Sequence, residues 1–396
     1  MADETISLSD ASAKNGRPGS LDVELLSQEG QRLSGCRIIP LTIRIGVALL
    51  RADGIGIVET AESHRGRGFG RRVMEAAVGK MEHGDSALRM LYGITDYYPK
   101  FGFVTSGPEA TLSLPLLDEE ITLPTGWKVR DFESRDLPAV QALYEQATLN
   151  AVGAAVRPRS GYPWTALLDS VHGGTSTDCR VSVKPDGQVA GYVWRGEDLN
   201  FVRLHSGYKP DTLIIAEAVA AAGPAADVAI QVCRCWGAQE AASRNRDVSE
   251  VILFTPPEGA VADAARYLSS TFKQDYGPDG GWMVQVLNTE RLFRNLQPEL
   301  SLRLKLAGSS LKGGVRIVTD AGAVTLDCEC RVRVVEGAGT RTASLPRTAL
   351  ARLVLGAYQP RDVLHRLEAP IGEEIEDLLA TLFPKREPQL YLADRF

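Results

Sequence analysis

Short apolar runs separated by turn residues fill the first third of the chain, and they have the length of β-strands. One amphipathic stretch among them, residues 71–81, spaces its apolar side chains as a helix does. The strand-like runs are residues 22–26, 36–50, 54–60, 88–93 and 101–104. Strands on both sides of a single helix predict one mixed α/β unit over residues 21–120.

The next stretch, residues 121–288, repeats this mixture of strands and helices and has a hairpin inside it. Pro185, Asp186 and Gly187 stand between two alternating runs, which is typical of a β-hairpin turn. An apolar run at residues 282–287 has the pattern of a closing strand. We therefore expect a second mixed α/β unit that ends near residue 288.

The remaining segment, residues 289–396, opens with a helical pattern and continues with strand-like runs before further helices. A curved antiparallel sheet covered by helices would accommodate that order. Residues 1–20, by contrast, carry no apolar core and no cleavage pattern. We expect them to form a disordered tail rather than a signal peptide.

Composition narrows the class of protein. With 396 residues the chain is too long for one hydrophobic core, which agrees with several domains. Its formal net charge of −6 argues against a dedicated nucleic-acid-binding protein. Its six cysteines include no C-x-x-C pair, so we expect reduced thiols and no metal site. No apolar stretch is suited to crossing a membrane. We expect a cytoplasmic protein with neither nucleic acid nor membrane among its partners.

The segment between the strand-like run 54–60 and the helix is rich in glycine and arginine, with Gly66, Gly68 and Gly70 spaced two apart. It lacks the Gly-Lys-Ser/Thr of a Walker loop, and its spacing does not match G-x-G-x-x-G. Two interpretations remain: a phosphate-binding loop at a helix N-terminus, or a solvated basic turn. Convergent glycine amides and the positive end of a helix dipole favour the phosphate loop.

Two motifs carry a family resemblance. Residues 58–70 resemble the acyl-CoA site of the GNAT N-acetyltransferases, whose pattern Arg/Gln-x-x-Gly-x-Gly/Ala is matched by Arg65, Gly68 and Gly70. Residues 97–103, YYPKFGF, resemble a second signature of the same superfamily, with Lys100 where arginine is common. The resemblance implies an enzyme that transfers acetyl from acetyl-CoA to a primary amine.

The whole chain resembles the enhanced intracellular survival (Eis) acetyltransferases. Their layout is a GNAT domain, a second GNAT-like domain without a glycine loop, and a C-terminal domain similar to sterol carrier protein type 2. Those chains typically end in phenylalanine, as this one ends in Phe396. The resemblance implies an α/β fold of tandem GNAT domains, with mixed sheets and flanking helices, and a homo-oligomer such as a hexamer.

Site residues carry over from the resemblance position by position. Tyr98 matches the general acid that protonates the departing CoA thiolate, and the C-terminal carboxylate of Phe396 matches the general base. Gly93 and Ile94 would flank the thioester. The contacts implied along the pantetheine arm and around the pyrophosphate are Val58, Glu59, Thr60, Gly66, Arg67, Gly68, Phe69, Gly70 and Arg71.

Plainer interpretations stand beside these roles. Tyr98 would then be an ordinary half-buried aromatic residue, and Phe396 a frayed chain end. A GNAT domain also normally places a strand and two helices before its second strand, and the sequence pattern here shows none of the three. Without them, the wall of the acceptor pocket would be incomplete.

Three functions are therefore compared. The first is acetyl transfer to an aminoglycoside-like molecule, a polyamine or a lysine side chain. The second is CoA binding with weak or no catalysis, because the acceptor pocket is incomplete. The third is transport of an apolar ligand by the C-terminal domain.

Overall fold

The computed structural model describes residues 4–15, 17–94, 96–117, 121–244, 247–276 and 281–396. These residues form two compact units. The first unit consists of Met1–Pro108, Tyr276–Pro388 and Phe396, and the second of Glu109–Asp275 and Gln389–Arg395. The first unit thus takes in the terminal residue of the chain.

The described residues contain both strands and helices, as expected for a mixed α/β protein. The strands are β1 Thr5–Asp10, β2 Leu21–Leu26, β3 Arg32–Ile45, β4 Ala48–Thr60, β5 Leu88–Tyr92, β6 Val104–Gly107, β7 Glu109–Pro115, β8 Lys128–Glu133, β9 Val152–Ala155, β10 Thr175–Val183, β11 Val189–Trp194, β12 Thr212–Ile215, β13 Glu217–Ala220, β14 Glu250–Leu253, β15 Thr271–Asp275, β16 Trp282–Val286, β17 Leu311–Thr319, β18 Gly322–Cys328, β19 Arg333–Val335 and β20 Arg341–Ser344. The helices are α1 Ser12–Asn15, α2 Phe69–Glu82, α3 Leu137–Thr148, α4 Trp164–Asp169, α5 Asn200–Tyr208, α6 Pro224–Arg244, α7 Ala260–Ala265, α8 Thr289–Leu306, α9 Arg347–Leu355, α10 Pro360–Leu364 and α11 Glu373–Leu382. Short 3-10 turns lie at Glu62–His64, Tyr98–Phe101, Ser134–Asp136 and Leu392–Asp394.

The first unit is built on a mixed sheet with the strand order β1-β2-β3-β4-β5-β16-β6. Helix α2 covers one face of it. The helix buries Val73, Met74, Ala77 and Met81 in a cluster with Ile55 of β4. Because these four helix positions recur at helical spacing, the amphipathic pattern alone is sufficient to dock α2 on the sheet.

The N-terminal segment corrects the prediction of a disordered tail over residues 1–20. Strand β1 pairs antiparallel with β2 from Thr5↔Leu26 to Asp10↔Leu21, and Ala11 is fully buried. Strand β1 lies at the edge of the sheet and buries little of its surface, so its residues can be polar. Its sequence therefore lacks the apolar pattern of a buried strand. Residues 1–3 and 16 lie outside the described residues. The first strand is therefore present, and the four-residue helix α1 precedes β2.

Two strands differ from the predicted domain boundaries at residues 120 and 288. Strand β16, predicted to close the second domain, lies between β5 and β6 in the sheet of the first unit, antiparallel to both. Strand β7, predicted within the first domain, lies between β14 and β15 in the second unit. Both strands are largely buried, and an apolar run of strand length fits the centre of any sheet. Periodicity therefore could not assign either strand to a sheet.

The second unit contains two four-stranded sheets, in the orders β13-β11-β10-β8 and β12-β14-β7-β15. The predicted hairpin is confirmed, because β10 and β11 pair antiparallel around the turn that holds Gly187 at a φ of 87°. Helix α6 contributes Val228, Ala229 and Val232 to a core with both sheets. The unit is thus a mixed α/β body, as expected.

The segment from α8 to α11 belongs to the first unit and carries its own sheet, in the order β19-β18-β17-β20. This sheet was expected to be antiparallel. Strand β20 instead runs parallel to β17, from Val315↔Arg341 to Val318↔Ser344. Among the described helices, none combines the length and apolar character needed to cross a lipid bilayer.

Candidate active site

Strands β4 and β5 separate at their carboxyl ends. They pair in parallel only from Ala52↔Leu88 to Gly54↔Met90, although β4 continues to Thr60 and β5 to Tyr92. A β-bulge at Ile57, whose φ is +54°, bends β4 beyond the last pair. The strand ends thereby leave a gap between them that an extended ligand could enter.

A glycine loop leads from β4 into α2. Gly66 and Gly68 have φ values of 76° and 80°, and a β-carbon on either would meet open space. Gly68 caps the N-terminus of α2 without any side-chain hydrogen bond to the helix amides. The first amides of α2 therefore point toward the loop, where an anion would be stabilised by them and by the helix dipole.

Gly70 is closely packed. A β-carbon at this position would lie 3.1 Å from the Tyr97 hydroxyl and 3.2 Å from Thr60 Oγ1. The Thr60 hydroxyl is also hydrogen-bonded to Ser34 Oγ at 2.8 Å, and the same serine donates to the carbonyl of Glu59 at 3.0 Å. The serine bonds tie the end of β4 to β3, and Gly70 packs the first turn of α2 against it.

Several arginines lie in and beside the loop, and some of them already form ion pairs with carboxylates. Arg71 Nε lies 2.7 Å from Glu75 Oε1, and Arg72 is bound to Glu4 at 2.7 Å. Arg67 stacks over Phe69 at 4.7 Å, with its head group 3.2 Å from His64 Nδ1. Arg65 and Arg67 are exposed, and neither forms an ion pair with a carboxylate of the described residues, so both are available to a phosphate.

Tyr98 lies directly on Gly93 at the end of β5. A β-carbon at position 93 would come within 2.1 Å of Tyr98 Cε2, so only glycine permits this contact. The phenol packs edge-on against Tyr97, with ring centroids 5.1 Å apart. Burial raises the pKa of Tyr98 to about 12, so the hydroxyl remains protonated at neutral pH.

Phe396 lies across β4. A β-carbon on Gly54 would be 2.5 Å from Cδ1 of the Phe396 ring, and one on Gly56 would be 2.4 Å from its terminal carbonyl carbon. The residue is 6 % exposed, which is unusual for a chain end. The terminal carboxyl group therefore occupies a defined position beside the strand that leads to the glycine loop.

Tyr98 and Phe396 approach the sheet from opposite faces. Ile55 belongs to the apolar cluster under α2, and Tyr98 packs against that same cluster. Because successive side chains in a strand alternate, Gly54 and Gly56 face the other side of the sheet, where Phe396 lies. A phenol and a carboxylate thus stand on either side of the place where β4 and β5 part.

Comparison with known proteins identifies the family of the domain that carries this arrangement. The family profile described as "Acetyltransferase (GNAT) domain" matches residues 6–105, which contain the strand ends, the glycine loop and Tyr98. Residues 6–105 are a GNAT acetyltransferase domain. No curated protein matches this chain closely enough in sequence to count as a relative.

Solved structures match the chain over most of its length. A probable N-acyltransferase from Enterococcus faecalis superposes with a TM-score of 0.66 at 14% identity, covering 95% of this chain and 89% of that one. A GCN5-related N-acetyltransferase from Anabaena variabilis superposes with a TM-score of 0.64 at 17% identity, covering 95% and 89%. Eis1 from Mycobacterium abscessus superposes with a TM-score of 0.53 at 15% identity, covering 95% and 90%. At these identities the likeness concerns the fold, and it extends to the Eis-like multi-domain architecture.

The predicted cofactor residues lie along one path in the GNAT domain. Val58, Glu59 and Thr60 form the end of β4 after the bulge, and Gly93 and Ile94 follow β5. The loop and first turn of α2 supply Gly66, Arg67, Gly68, Phe69, Gly70 and Arg71. Phe69 is 5 % exposed and packs under the helix, which leaves its backbone amide rather than its ring for a ligand.

Some site features were missed at the level of sequence. Gly54 and Gly56 received no role there, although two glycines spaced by two within a buried strand indicate close approach of another group. The bulge at Ile57 had no sequence signal, because isoleucine is rare at positive φ. In the described residues no cluster of three or more histidine, cysteine or acidic side chains has a metal-binding arrangement.

Proposed function

We propose that this acetyltransferase uses acetyl-CoA and transfers the acetyl group directly to a primary amine. Tyr98 acts as the general acid, and the terminal carboxylate of Phe396 acts as the general base. The observation that carries the proposal is the burial of the Phe396 carboxyl group against Gly56, in the strand that leads to the cofactor loop.

The cofactor residues support acetyl-CoA as the co-substrate. The free amides at the start of α2 and the exposed guanidinium groups of Arg65 and Arg67 suit a pyrophosphate. The gap between the ends of β4 and β5 suits an extended pantetheine arm, whose amide groups could bond to the strand backbones. Acetyl-CoA bound in this way would bring its thioester to Gly93 and Ile94.

In the proposed reaction the amine nitrogen forms a bond to the acetyl carbonyl carbon, and the carbon–sulfur bond breaks. The proton lost by the amine goes to the Phe396 carboxylate, and the departing thiolate takes a proton from Tyr98. The opposite faces that the two groups occupy suit attack from one side of the thioester and departure from the other. The raised pKa of Tyr98 keeps the acid protonated until the thiolate forms.

Direct transfer is favoured over an acyl-enzyme route. Cys36, the cysteine that packs with Tyr98 in the cluster under α2, is 2 % exposed. Burial raises the pKa of its thiol to about 12, so it is not a thiolate at neutral pH. A buried neutral thiol is a poor nucleophile.

The acceptor classes are aminoglycoside-like molecules, polyamines and lysine side chains. A carboxylate base attracts the protonated form of each of these amines, and it can remove a proton once the amine is bound. The first strand β1 is present, so the sheet beside the acceptor is more complete than its sequence pattern suggested.

The test is thiol release from acetyl-CoA over a panel of amines, with two variants. Tyr98→Phe removes the acid, and one alanine added after Phe396 moves the carboxylate away from Gly56. We expect each variant to lose about 100-fold in kcat. Tyr358→Phe is the matched control, because the hydroxyl of that half-buried tyrosine donates to the carbonyl of Thr105 at 3.1 Å, a bond outside the proposed acid and base. Wild-type turnover in both variants would refute the assigned roles, and tight acetyl-CoA binding without acetylation of any amine would indicate a CoA-binding protein instead.

A further inference from the structure

A cavity of about 550 Å³ lies beside helix α2 in the first unit. One wall is α2 itself, from Glu75 to Glu82, and a second is the turn after Tyr98, from Lys100 to Gly102. The start of α9, at residues 347–348, forms a third wall. The described lining does not include the glycine loop, and the volume is that of a small-molecule site.

Two buried polar side chains also line this cavity. Arg89 of β5 and Gln285 of β16 lie opposite each other in an antiparallel pair, so both side chains point to the same face of the sheet. They are 2 % and 6 % exposed. Arg89 Nε donates to Gln285 Oε1 at 2.5 Å, and Arg89 Nη1 donates to the carbonyl of Val78 at 3.0 Å. Because arginine can only donate, the oxygen of Gln285 faces Arg89 and its NH₂ group points away.

Several donors of the lining have no acceptor. Gln285 Nε2 lies against Gly102, where it would clash with a β-carbon, and it forms no hydrogen bond with the described residues. Arg89 Nη2 is 3.8 Å from Glu82 Oε1, which is beyond hydrogen-bonding distance. Lys100 is exposed and forms no ion pair within the described part of the chain. Charged and amide N–H donors that lack acceptors are suited to binding an oxyanion.

The acidic residues of the lining do not prevent this. Glu75 Oε1 binds Arg71 Nε at 2.7 Å. The Asp320 carboxylate binds the Arg347 side chain at 2.5 Å and the Arg347 amide at 2.7 Å. The side chain of Glu82 is 56 % exposed, so water and salt screen its charge. Two of the three carboxylates are thus already paired, and the third lies in solvent.

Arg89 is a buried cation without a close carboxylate among the described residues. Its pKa is lowered to about 10, chiefly by burial and further by the charge of Arg347, although Glu82 and Asp53 raise it. A bound anion would offset both the desolvation of Arg89 and its repulsion from the second guanidinium group.

We propose that this cavity binds a small molecule that carries a carboxylate or phosphate group. The oxyanion accepts hydrogen bonds from Gln285 Nε2 and Arg89 Nη2, and the ammonium group of Lys100 attracts it from the open side. The site is separate from the glycine loop, and it does not depend on the reaction proposed above.

Isothermal titration calorimetry on the full chain tests the site, with inorganic phosphate and citrate as separate probes. Acetyl-CoA is present at saturation in both titrations, so that neither probe binds at the glycine loop. We expect at least one probe to bind with a Kd of about 1 mM or lower. Tighter binding of phosphate indicates a phosphorylated ligand, and tighter binding of citrate indicates a carboxylate. Wild-type protein that binds neither probe would overturn the proposal.

Gln285→Glu locates the binding. The new carboxylate still accepts from Arg89 Nε, so the fold is kept, but the amide donor is replaced by a negative charge that repels the probe. We expect the Kd to rise at least about 20-fold. Gln297→Glu is the matched control, because Gln297 Oε1 also accepts a hydrogen bond, from the amide of Val334 at 2.8 Å, and it lies outside the described lining. Its Kd should stay within about twofold of wild type.

Lys100→Ala removes an exposed charge without disturbing the core. We expect the Kd of the probe to rise about fivefold. Lys80→Ala is its control, because Lys80 is also exposed, on α2, but is not part of the described lining. An affinity that is unchanged in both Gln285→Glu and Lys100→Ala would show that the probe binds elsewhere, and would overturn the proposal.

Discussion

The terminal carboxyl group of Phe396 lies against the backbone of Gly56, where a β-carbon would come within 2.4 Å of the terminal carbonyl carbon. The phenylalanine ring meets Gly54 in the same way, at 2.5 Å. Neither glycine has a positive φ, so the backbone conformation does not require glycine. Glycine is needed at both positions because Phe396 leaves no room for a side chain. Strand β4 thus carries a groove two residues long that receives the chain end.

This groove leads to the first prediction. Gly56→Ala would place a methyl group where the carboxyl group lies and displace it, and we expect kcat to fall by about 100-fold. Binding of acetyl-CoA, measured by calorimetry, should change by less than about twofold, because the glycine loop is not altered.

Gly79→Ala is the control for that substitution. Gly79 lies inside α2, and no atom would lie within 4 Å of its β-carbon. Alanine should stabilise the helix by about 1 kcal/mol and leave turnover unchanged. Unimpaired turnover in Gly56→Ala would show that the carboxyl group need not occupy the groove.

A second prediction concerns pH. The pKa of Tyr98 is raised to about 12 by burial, above the ordinary value near 10 for tyrosine. Because the acid form persists up to this higher value, ionisation of Tyr98 should not reduce kcat between about pH 8 and 10. The neutral phenol also favours the folded state, and this contribution is present below pH 10 and lost as the pH rises through about 12.

An ultraviolet difference titration between wild type and Tyr98→Phe measures that pKa directly. The tyrosine missing from the variant should titrate near pH 12. Titration near pH 10, or an alkaline fall in kcat below pH 10 that vanishes in Tyr98→Phe, would contradict the assignment.

A third prediction concerns the glycine loop. Gly68 has a φ of +80°, but a β-carbon would meet no atom within 4 Å, so alanine would strain only the backbone. That strain costs about 1 kcal/mol, and we expect the Kd for acetyl-CoA to rise by about fivefold. Calorimetry provides the measurement.

Gly207→Ala is the matched control for the loop. It is also open to solvent around its β-carbon, but it lies in α5 and has no positive φ. Its affinity for acetyl-CoA should equal that of wild type. An unchanged Kd in Gly68→Ala would mean that the loop does not bind the cofactor in this conformation.

The sequence predicted the order of the elements that form the candidate cofactor site. The expected strand, glycine loop and helix appear as β4, the turn around Gly66 and Gly68, and α2. A GNAT acetyltransferase domain, expected from the loop and from residues 97–103, is confirmed over residues 6–105. The roles of Tyr98 and Phe396 stay predictions until the variants are measured.

Sequence patterns did not predict the positions of strands whose neighbours in the sheet lie far along the chain. Strand β1 is too polar to be recognised until its pairing with β2 is known. Strands β7 and β16 are apolar enough to be recognised, but their positions in the two sheets depend on neighbours far along the chain.

The local parts of this protein could be predicted from its amino acids: the glycine loop before a helix, the hairpin around Gly187, and the two GNAT motifs. Each of these depends on residues close together in the chain, whose conformational preferences act over a few bonds. Three contacts became visible in the folded chain alone: Phe396 rests on Gly54 and Gly56, Tyr98 rests on Gly93, and Arg157 holds Asp394. The contacts of Phe396 and Arg157 join residues hundreds of positions apart, and the Tyr98 contact depends on how the chain after β5 folds back over the strand. All three are fixed by close packing and by the pairing of buried charge, for which a single sequence carries no periodic signal.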